Sequence, residues 1–132
     1  MEKLSAGTNA LNWFKIPVTD SARFKKFYET IFDIKLDTRE MMGMEMSFFP
    51  NEMQTNTGKV SGSLVKGPTH KPSMDGAIVY LNANPAIQTV IDKVEKAGGK
   101  MLMPKTLIND HIGYMAFFAD TEGNRVALHA IK

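Results

Sequence analysis

Residues 12–32 read NWFKIPVTDSARFKKFYETIF, and this stretch decides the fold. Its first part predicts a β-strand, because apolar side chains alternate along it with a second set of residues. The apolar set is Phe14, Ile16 and Val18, and the alternating set is Trp13, Lys15 and Pro17. We therefore expect one face of the strand to pack into the core and the other face to line a cavity.

The second part of the same stretch predicts a helix that begins after Asp20. The Asp20 carboxylate can accept hydrogen bonds from the free amide groups of the first helical turn. Apolar residues then recur at helical spacing and form one stripe, which is Phe24, Phe27, Tyr28 and Ile31. The stripe is expected to fold back over the apolar face of the strand.

Composition limits the classes of protein to which the chain can belong. The 132 residues are enough for one compact domain spanning 1–132, and the absence of cysteine excludes disulfides and thiolate metal sites. A net charge of +2, with basic and acidic residues interspersed, argues against nucleic acid or a membrane surface as a partner. No apolar run approaches the ~20 residues of a membrane span, and the N-terminus lacks the apolar core of a signal peptide. We expect a soluble, cytoplasmic protein.

The rest of the first half predicts three more strands. Two of them cover residues 34–38 and 41–49, and a polar, turn-rich loop follows over residues 50–58. The next strand covers residues 59–66. Prolines and glycines in residues 67–76 then predict a linker to the second half.

The second half repeats this order of elements. Residues 76–83 predict a strand, and Asn84 with Pro85 predicts a helix start, since they supply a capping side chain and a first-turn proline. Gly98 and Gly99 end that helix. The remaining strands are predicted over residues 100–107, 113–120 and 125–131, with a tight turn over residues 121–124 between the last two.

The order strand–helix–strand–strand–strand thus occurs twice, and the predicted caps Asp20 and Asn84 are 64 residues apart. The repeat lies in the pattern of elements, since few residues are identical between the halves. The predicted fold is α+β, with two βαβββ modules. Module one covers about residues 9–66, the linker residues 67–75, and module two about residues 76–132.

Four motifs connect this pattern to a known family. They are IPVTD at residues 16–20, Phe27-Tyr28, AGGK at residues 97–100, and FADTEGNR at residues 118–125. In this order and spacing, the chain resembles the vicinal oxygen chelate superfamily, which includes glyoxalase I, bleomycin resistance proteins and extradiol dioxygenases. The resemblance implies that the two modules pair into one cup-shaped, partly open mixed sheet. It also implies a homodimer, as is common for small members.

Enzymes of this superfamily hold a divalent metal ion in the cup with His, Glu or Gln side chains. Carried over residue by residue, the four ligand positions fall on Trp13, on Ala77 or Ile78, on Ala127, and on Gly62, which Ser61 and Ser63 flank. Trp, Ala, Ile and Gly side chains cannot bind a metal, and a serine hydroxyl is a poor ligand unless ionised. We therefore expect no metal site and no cofactor.

Other side chains are candidates for binding or chemistry in the cup. Lys15 and Glu45 are predicted to face the same space, where a lysine and a carboxylate could act as acid and base, and His129 is a third candidate for catalysis. Alternatively, Lys15 and Glu45 form a structural pair. The predicted ligand-binding surface consists of Trp13, Lys15, Phe49, Tyr80, Tyr114, Ala127 and His129. Its aromatic side chains suit a planar small molecule, although aromatic residues also fill cores.

These observations favour a metal-independent protein that binds an apolar or aromatic small molecule, for sequestration or sensing. The alternative is a glyoxalase-like lyase, isomerase or dioxygenase. Such an enzyme would need atypical ligands for a divalent metal, or a metal-free mechanism using Lys15, Glu45 or His129. A third hypothesis is a subunit that acts as a scaffold for a partner protein. The fold alone does not decide among them, because one fold can host many chemistries.

Overall fold

The computed structural model describes residues 2–52 and 59–132. Most of the loop predicted over residues 50–58 therefore lies outside the described residues. Within these residues, two helices and eight strands follow one another in the predicted order. The elements of the first half are β1 (Trp13–Pro17), α1 (Ser21–Phe32), β2 (Asp37–Met41), β3 (Met44–Phe48) and β4 (Ser61–Lys66). Those of the second half are β5 (Tyr80–Asn82), α2 (Ile87–Val94), β6 (Lys100–Asn109), β7 (Gly113–Ala119) and β8 (Arg125–Ala130).

The two halves form two four-stranded mixed sheets with the same connectivity. The strand order is β1-β4-β3-β2 in the first sheet and β5-β8-β7-β6 in the second. In each sheet the first strand runs parallel to the last, and the other pairs are antiparallel. The α+β fold with two βαβββ modules is thus confirmed.

Helix α1 is built as the sequence predicts. The Asp20 carboxylate accepts a hydrogen bond from the backbone N–H of Arg23 at 3.1 Å, which is the expected N-cap. All four residues of the apolar stripe, Phe24, Phe27, Tyr28 and Ile31, are buried. They join β1, α2 and the second sheet in one hydrophobic cluster. Both helices therefore cover the same face of the sheets, which we call the helix face, and the opposite face is the cup face.

Several element boundaries differ from the prediction; β3 and β5, for example, cover Met44–Phe48 and Tyr80–Asn82 where residues 41–49 and 76–83 were predicted. The strand predicted over residues 34–38 lies at Asp37–Met41, because Met42 and Gly43, both at positive φ, make the turn to β3. The predicted cap Asn84 does not cap α2, whose N-cap is Ala86 without a side-chain bond. Instead, Asn84 Oδ1 accepts a hydrogen bond at 2.8 Å from the N–H of Ile131, just after β8.

A buried carboxylate, Glu122 in the turn between β7 and β8, holds the two modules together. Glu122 Oε1 accepts hydrogen bonds at 2.8 Å from the N–H groups of Thr19 and Asp20. Arg23 Nε donates to Glu122 Oε2 at 2.7 Å and Arg23 Nη2 to Oε1 at 3.2 Å. Burial alone would raise the pKa of Glu122, but the bonds from Arg23, Asp20 and Thr19 outweigh it and lower the pKa to about 2. We call this arrangement the Glu122 clamp.

Two further hydrogen bonds cross between the modules beside the clamp. The buried hydroxyl of Tyr28 donates to Asp120 Oδ2 at 2.6 Å, and Asn124 Nδ2 donates to the carbonyl of Pro17 at 2.6 Å. Burial, and then the Asp120 charge, raise the pKa of Tyr28 well above its usual value. Asp120 Oδ1 also accepts from the N–H groups of Glu122 and Asn124, so an Asx-type turn closes the predicted tight turn between β7 and β8.

Neither helix in the described part of the chain is long and apolar enough to cross a membrane.

Candidate functional site

Strand pairing identifies the cup face of the first module. Phe14 and Ile16 pack into the core, so Trp13 and Lys15 lie on the opposite side of β1. Lys15 pairs with Ser63 of β4, which in turn pairs with Phe48 of β3. The rings of Trp13 and Phe48 lie 5.8 Å apart. The cup face of this module therefore carries an aromatic wall beside a lysine and a buried serine.

The second module presents an equivalent surface. Tyr80 pairs with Ala127, and Ala127 pairs with Phe117 of β7. The rings of Tyr80 and Phe117 make an edge-to-face contact at 6.1 Å. Further along, Asn82 pairs with His129. The predicted ligand-binding residues Tyr80, Ala127 and His129 thus share one face, as Trp13 and Lys15 do in the first module.

Two backbone bonds align the modules with each other. Val18 N–H donates to Val65 O at 3.0 Å, and Ala83 N–H donates to His129 O at 2.8 Å, in each case just after the first strand. In each module we count back three residues from this N–H on the first strand and two residues from this carbonyl on the last strand. The pair Lys15–Ser63 is therefore equivalent to the pair Tyr80–Ala127.

The alignment corrects the position assigned to Gly62. The first-module equivalent of Ala127 is Ser63, because Gly62 lies on the helix face. There, a Cβ at residue 62 would lie 2.5 Å from the Phe14 ring. The same alignment makes Ile78 the equivalent of Trp13, which decides between the two alternatives, Ala77 and Ile78.

The residues at these four positions do not fit a divalent metal ion. Trp13, Ile78 and Ala127 offer no donor atom, and Ser63 offers a neutral hydroxyl. Within residues 2–52 and 59–132, no three His, Cys, Asp or Glu side chains cluster so that they could hold a metal.

Glu45 does not share the cup with Lys15, and the prediction that it does is wrong. Glu45 pairs with Lys66 on β4. Lys66 is three residues after Ser63, and side chains alternate along a strand, so Lys66 and Glu45 lie on the helix face. There its carboxylate accepts a hydrogen bond from the hydroxyl of Ser21 at the start of α1. Glu45 therefore binds the first turn of α1 and lies on the opposite face of the sheet from Lys15.

Two of the predicted aromatic walls also lie on the helix face. Phe49 makes ring contacts with Phe14, Tyr28 and Phe32. Tyr114 pairs with the buried Ala130, and the Lys105 ammonium lies 4.3 Å from the centre of its ring.

Besides Trp13 and Tyr80, the cup face carries two aromatic residues that the sequence analysis missed, Phe48 and Phe117. The signal that identifies them is strand parity. Phe117 directly precedes the buried Phe118, and Phe48 directly precedes Phe49 on the helix face, so each points to the opposite side of its strand.

His129 faces a cavity of about 350 Å³ that Tyr80, Asn82 and Ile112 also line. Its Nε2 lies 2.6 Å from the carbonyl oxygen of Ile112, so Nε2 carries the proton and donates to that carbonyl. Nδ1 is then the ring atom that remains for a ligand. The geometry gives His129 a fixed ring orientation at the rim of the cup.

A larger cavity lies mainly on the helix side and extends to the cup-face residues Tyr80 and Asn82 of β5. It is a groove of about 970 Å³ between the end of α1 and the start of α2, and β5 also lines it. Phe14, Phe32 and Phe49 line one part of it, and Thr89 and Val90 of α2 line another. The groove is therefore a second apolar surface, which the sequence analysis did not predict.

Comparison with known proteins identifies the family model that the chain matches. Residues 10–128 match the model of the Glyoxalase/Bleomycin resistance protein/Dioxygenase superfamily. A glyoxylase-like domain-containing protein from Didymella fabae is 29% identical over 123 residues, covering 89% of this chain and 91% of that protein. CFP32 from Mycobacterium bovis is 30% identical over 120 residues. The match covers 89% of this chain but 44% of CFP32, so the chain spans less than half the length of that relative.

Solved structures share the fold at lower sequence identity. The antibiotic-binding protein TnmS3 from Streptomyces sp. CB03234 superposes with a TM-score of 0.63 at 18% identity, covering 96% of this chain and 98% of TnmS3. A single-residue variant of glyoxalase I from Zea mays superposes with a TM-score of 0.65 at 18% identity, covering 92% of this chain and 46% of the maize protein. The same architecture therefore occurs in a binding protein and in an enzyme.

Proposed function

This chain belongs to the glyoxalase/bleomycin resistance protein/dioxygenase superfamily, and we propose that it binds an apolar or aromatic small molecule on its cup face without a resident metal ion. The observation that carries the proposal is the chemistry of the equivalent pairs Lys15–Ser63 and Tyr80–Ala127. Ser63 and Ala127 of these pairs occupy metal-ligand positions of the family, and Trp13 and Ile78 occupy the other two. Imidazole and carboxylate, the usual metal ligands, are therefore replaced by neutral groups. Aromatic rings flank both pairs.

The aromatic side chains supply the apolar contact that such a ligand needs. Trp13 and Phe48 flank the first pair, and Tyr80 and Phe117 flank the second. Rings of this kind favour planar ligands, because offset or edge-to-face contacts add about 1 kcal/mol each to the burial of apolar area. The name of TnmS3, an antibiotic-binding protein with the same fold, supports sequestration as one use of such a surface.

An enzyme remains the alternative, and it would use a small set of groups. A metal-free lyase or isomerase would have to transfer protons with Lys15 or His129, since Glu45 lies on the opposite face. His129 already donates from Nε2 to a backbone carbonyl, which leaves one ring nitrogen for chemistry. No arrangement of two catalytic groups within hydrogen-bond distance of each other favours this alternative in the described part of the chain.

Titration of neutral planar probes such as 1-naphthamide and quinoline tests the proposal. Trp13 is the one tryptophan of the chain, so its fluorescence should change in a saturable way when a probe binds beside it. The melting temperature should also rise with probe concentration. Metal analysis of protein purified without chelator completes the experiment, and a stoichiometric, tightly held transition metal would refute the proposal.

Two variants distinguish the cup from the groove on the helix side. Phe117→Leu removes one ring from the cup face and should weaken probe binding. Thr89→Leu changes an exposed residue that lines the groove and should leave binding unchanged. The reverse result would place the ligand in the groove and contradict the proposal.

The homodimer implied by the family resemblance is a separate proposal. Light scattering after size-exclusion chromatography should report twice the 14.7 kDa mass of one chain. A mass of one chain at micromolar concentration would rule it out.

A further inference from the structure

Two buried polar atoms in the described part of the chain have no hydrogen-bond partner. They are Ser63 Oγ and Arg125 Nε. Buried polar groups are almost always paired, because an unpaired one loses its hydrogen bonds to water without gaining any in the protein. Both residues lie on cup-face rows: Ser63 pairs with Lys15, and Arg125 is two residues before Ala127 on β8. Both unpaired atoms thus belong to residues of the face that is proposed to bind a ligand.

The Nε and Nη2 donors along one edge of the Arg125 guanidinium are poorly satisfied by the described chain. Nη2 donates one long bond, at 3.4 Å, to the carbonyl of Gly76, and Nε, on the same edge of the planar group, donates none. This edge presents two parallel N–H groups, the geometry that a carboxylate accepts with both of its oxygens. A carboxylate placed there would satisfy Nε and replace the long bond of Nη2.

Arg125 shares a small cavity with two more cations. Lys15 and Lys71 line the same space of about 200 Å³, together with one carboxylate, Asp75. None of the three basic residues forms an ion pair within residues 2–52 and 59–132; the ion pairs found there involve other residues. The cavity therefore carries an excess of two positive charges at neutral pH that the described chain does not compensate.

The cavity lies close to the aromatic residues of the cup face along both β1 and β8. Trp13 is two residues from Lys15 on the same face of β1, a separation of about 7 Å along the strand. Ala127, which pairs with Tyr80, is two residues from Arg125 on β8. A volume of about 200 Å³ suits a charged head group, while a ring attached to it would extend over the aromatic walls.

We propose that the ligand of this protein is an aromatic carboxylate, whose carboxylate is bound by Lys15 and Arg125 and whose ring lies on the cup face. This inference rests on the proposed function, because it names the class of molecule that the cup binds. Lys71 adds long-range attraction from the linker. The hydroxyl of Ser63 is the neighbouring donor for an oxygen of the same ligand.

Paired probes test the inference separately from the proposed function. Isothermal titration calorimetry compares 1-naphthoate with its neutral counterpart 1-naphthamide, which has the same ring and nearly the same shape. We expect naphthoate to bind about tenfold more tightly or better, since a hydrogen bond between charged groups is stronger than one to a neutral amide. Lys15→Met should remove most of this preference, because it should weaken the binding of naphthoate far more than that of naphthamide.

Two more variants identify the source of the preference. Arg125→Lys keeps the charge but removes the planar edge, so it should weaken naphthoate binding about as much as Lys15→Met. Lys66→Met is the matched control, because Lys66 is an exposed lysine on the helix face of the neighbouring strand β4. It should leave both affinities unchanged.

Each of the other outcomes decides against the inference in a different way. Equal affinities for naphthoate and naphthamide would refute the carboxylate and leave the proposed function intact. Equal losses in Lys66→Met and Lys15→Met would show general charge attraction without a site. If neither probe binds, the inference and the proposed function both fail.

Discussion

Replacing Glu122 with glutamine should destabilise the protein by separating the two modules. The Glu122 side chain is fully buried and accepts bonds from Arg23 and from two backbone N–H groups of the first module. A carboxyl group whose pKa falls from 4.5 to about 2 on folding contributes about 3 kcal/mol at neutral pH. Glutamine can still accept from the backbone with Oε1, so we expect Glu122→Gln to lower the free energy of unfolding by about 2 kcal/mol.

The dependence on pH distinguishes a lost charge from a general packing defect. Because the folded-state pKa of Glu122 is depressed, its contribution is fully present above pH 4.5 and is lost as the pH falls towards 2. The difference between wild type and Glu122→Gln should therefore be largest at pH 7 and shrink steadily between pH 4.5 and 2.

Urea denaturation followed by far-ultraviolet circular dichroism at pH 7, 5, 4 and 3 measures this difference. Glu40→Gln is the matched control, since Glu40 is an exposed carboxylate on β2, and it should change stability by less than about 0.5 kcal/mol. If Glu122→Gln costs no more than this control at pH 7, the clamp does not hold the modules together. A loss that stays constant from pH 7 to pH 3 would equally refute its electrostatic origin.

Two other substitutions test the core beside the site. Tyr28→Phe removes the buried hydrogen bond to Asp120 and should lower the free energy of unfolding by about 1–2 kcal/mol; an unchanged urea midpoint would show that the bond contributes nothing. Gly62→Ala places a Cβ 2.5 Å from the Phe14 ring and should cost about 1–3 kcal/mol through overpacking. Gly7→Ala, where the added atom meets only Ser5 Oγ at 3.9 Å, should not shift the thermal midpoint.

The fold could be predicted because its signals are local and repeated. Asp20 caps α1 and the buried stripe covers β1 as the periodicity indicates. The prediction that Asn84 caps α2 was wrong, because its side-chain oxygen instead accepts a hydrogen bond from the N–H of Ile131 after β8. The Glu122 clamp could not be predicted, since its partners are about 100 residues away in the sequence, and a turn glutamate otherwise indicates a solvated residue.

The strand face of a candidate residue could be predicted where the alternation along the strand was certain. Trp13 and Lys15 could be assigned to the cup face because β1 alternates cleanly with the buried Ile16. Glu45 and Phe49 were misplaced because the turn at Met42 and Gly43 resets the alternation between β2 and β3. A shift of one residue sends every side chain of a strand to the other face, so the side chains in the cup could be chosen only once the pairing was known.

The strand pairing shows that the two ends of the cup differ in polarity. The equivalent positions hold Lys15 and Ser63 in one module but Tyr80 and Ala127 in the other, so the repeat preserves the backbone and differs in polarity. A ligand with one charged end and one apolar end has a single favourable orientation on such a surface, whereas a uniformly apolar ligand has two. If the ligand is an aromatic carboxylate, Ser63→Ala should weaken its binding more than the binding of a neutral planar probe, because a hydrogen bond to a charged oxygen is stronger than one to a neutral oxygen. Calorimetry with naphthoate and naphthamide measures both effects, and an equal loss for the two probes would mean that the asymmetry of the cup does not orient its ligand.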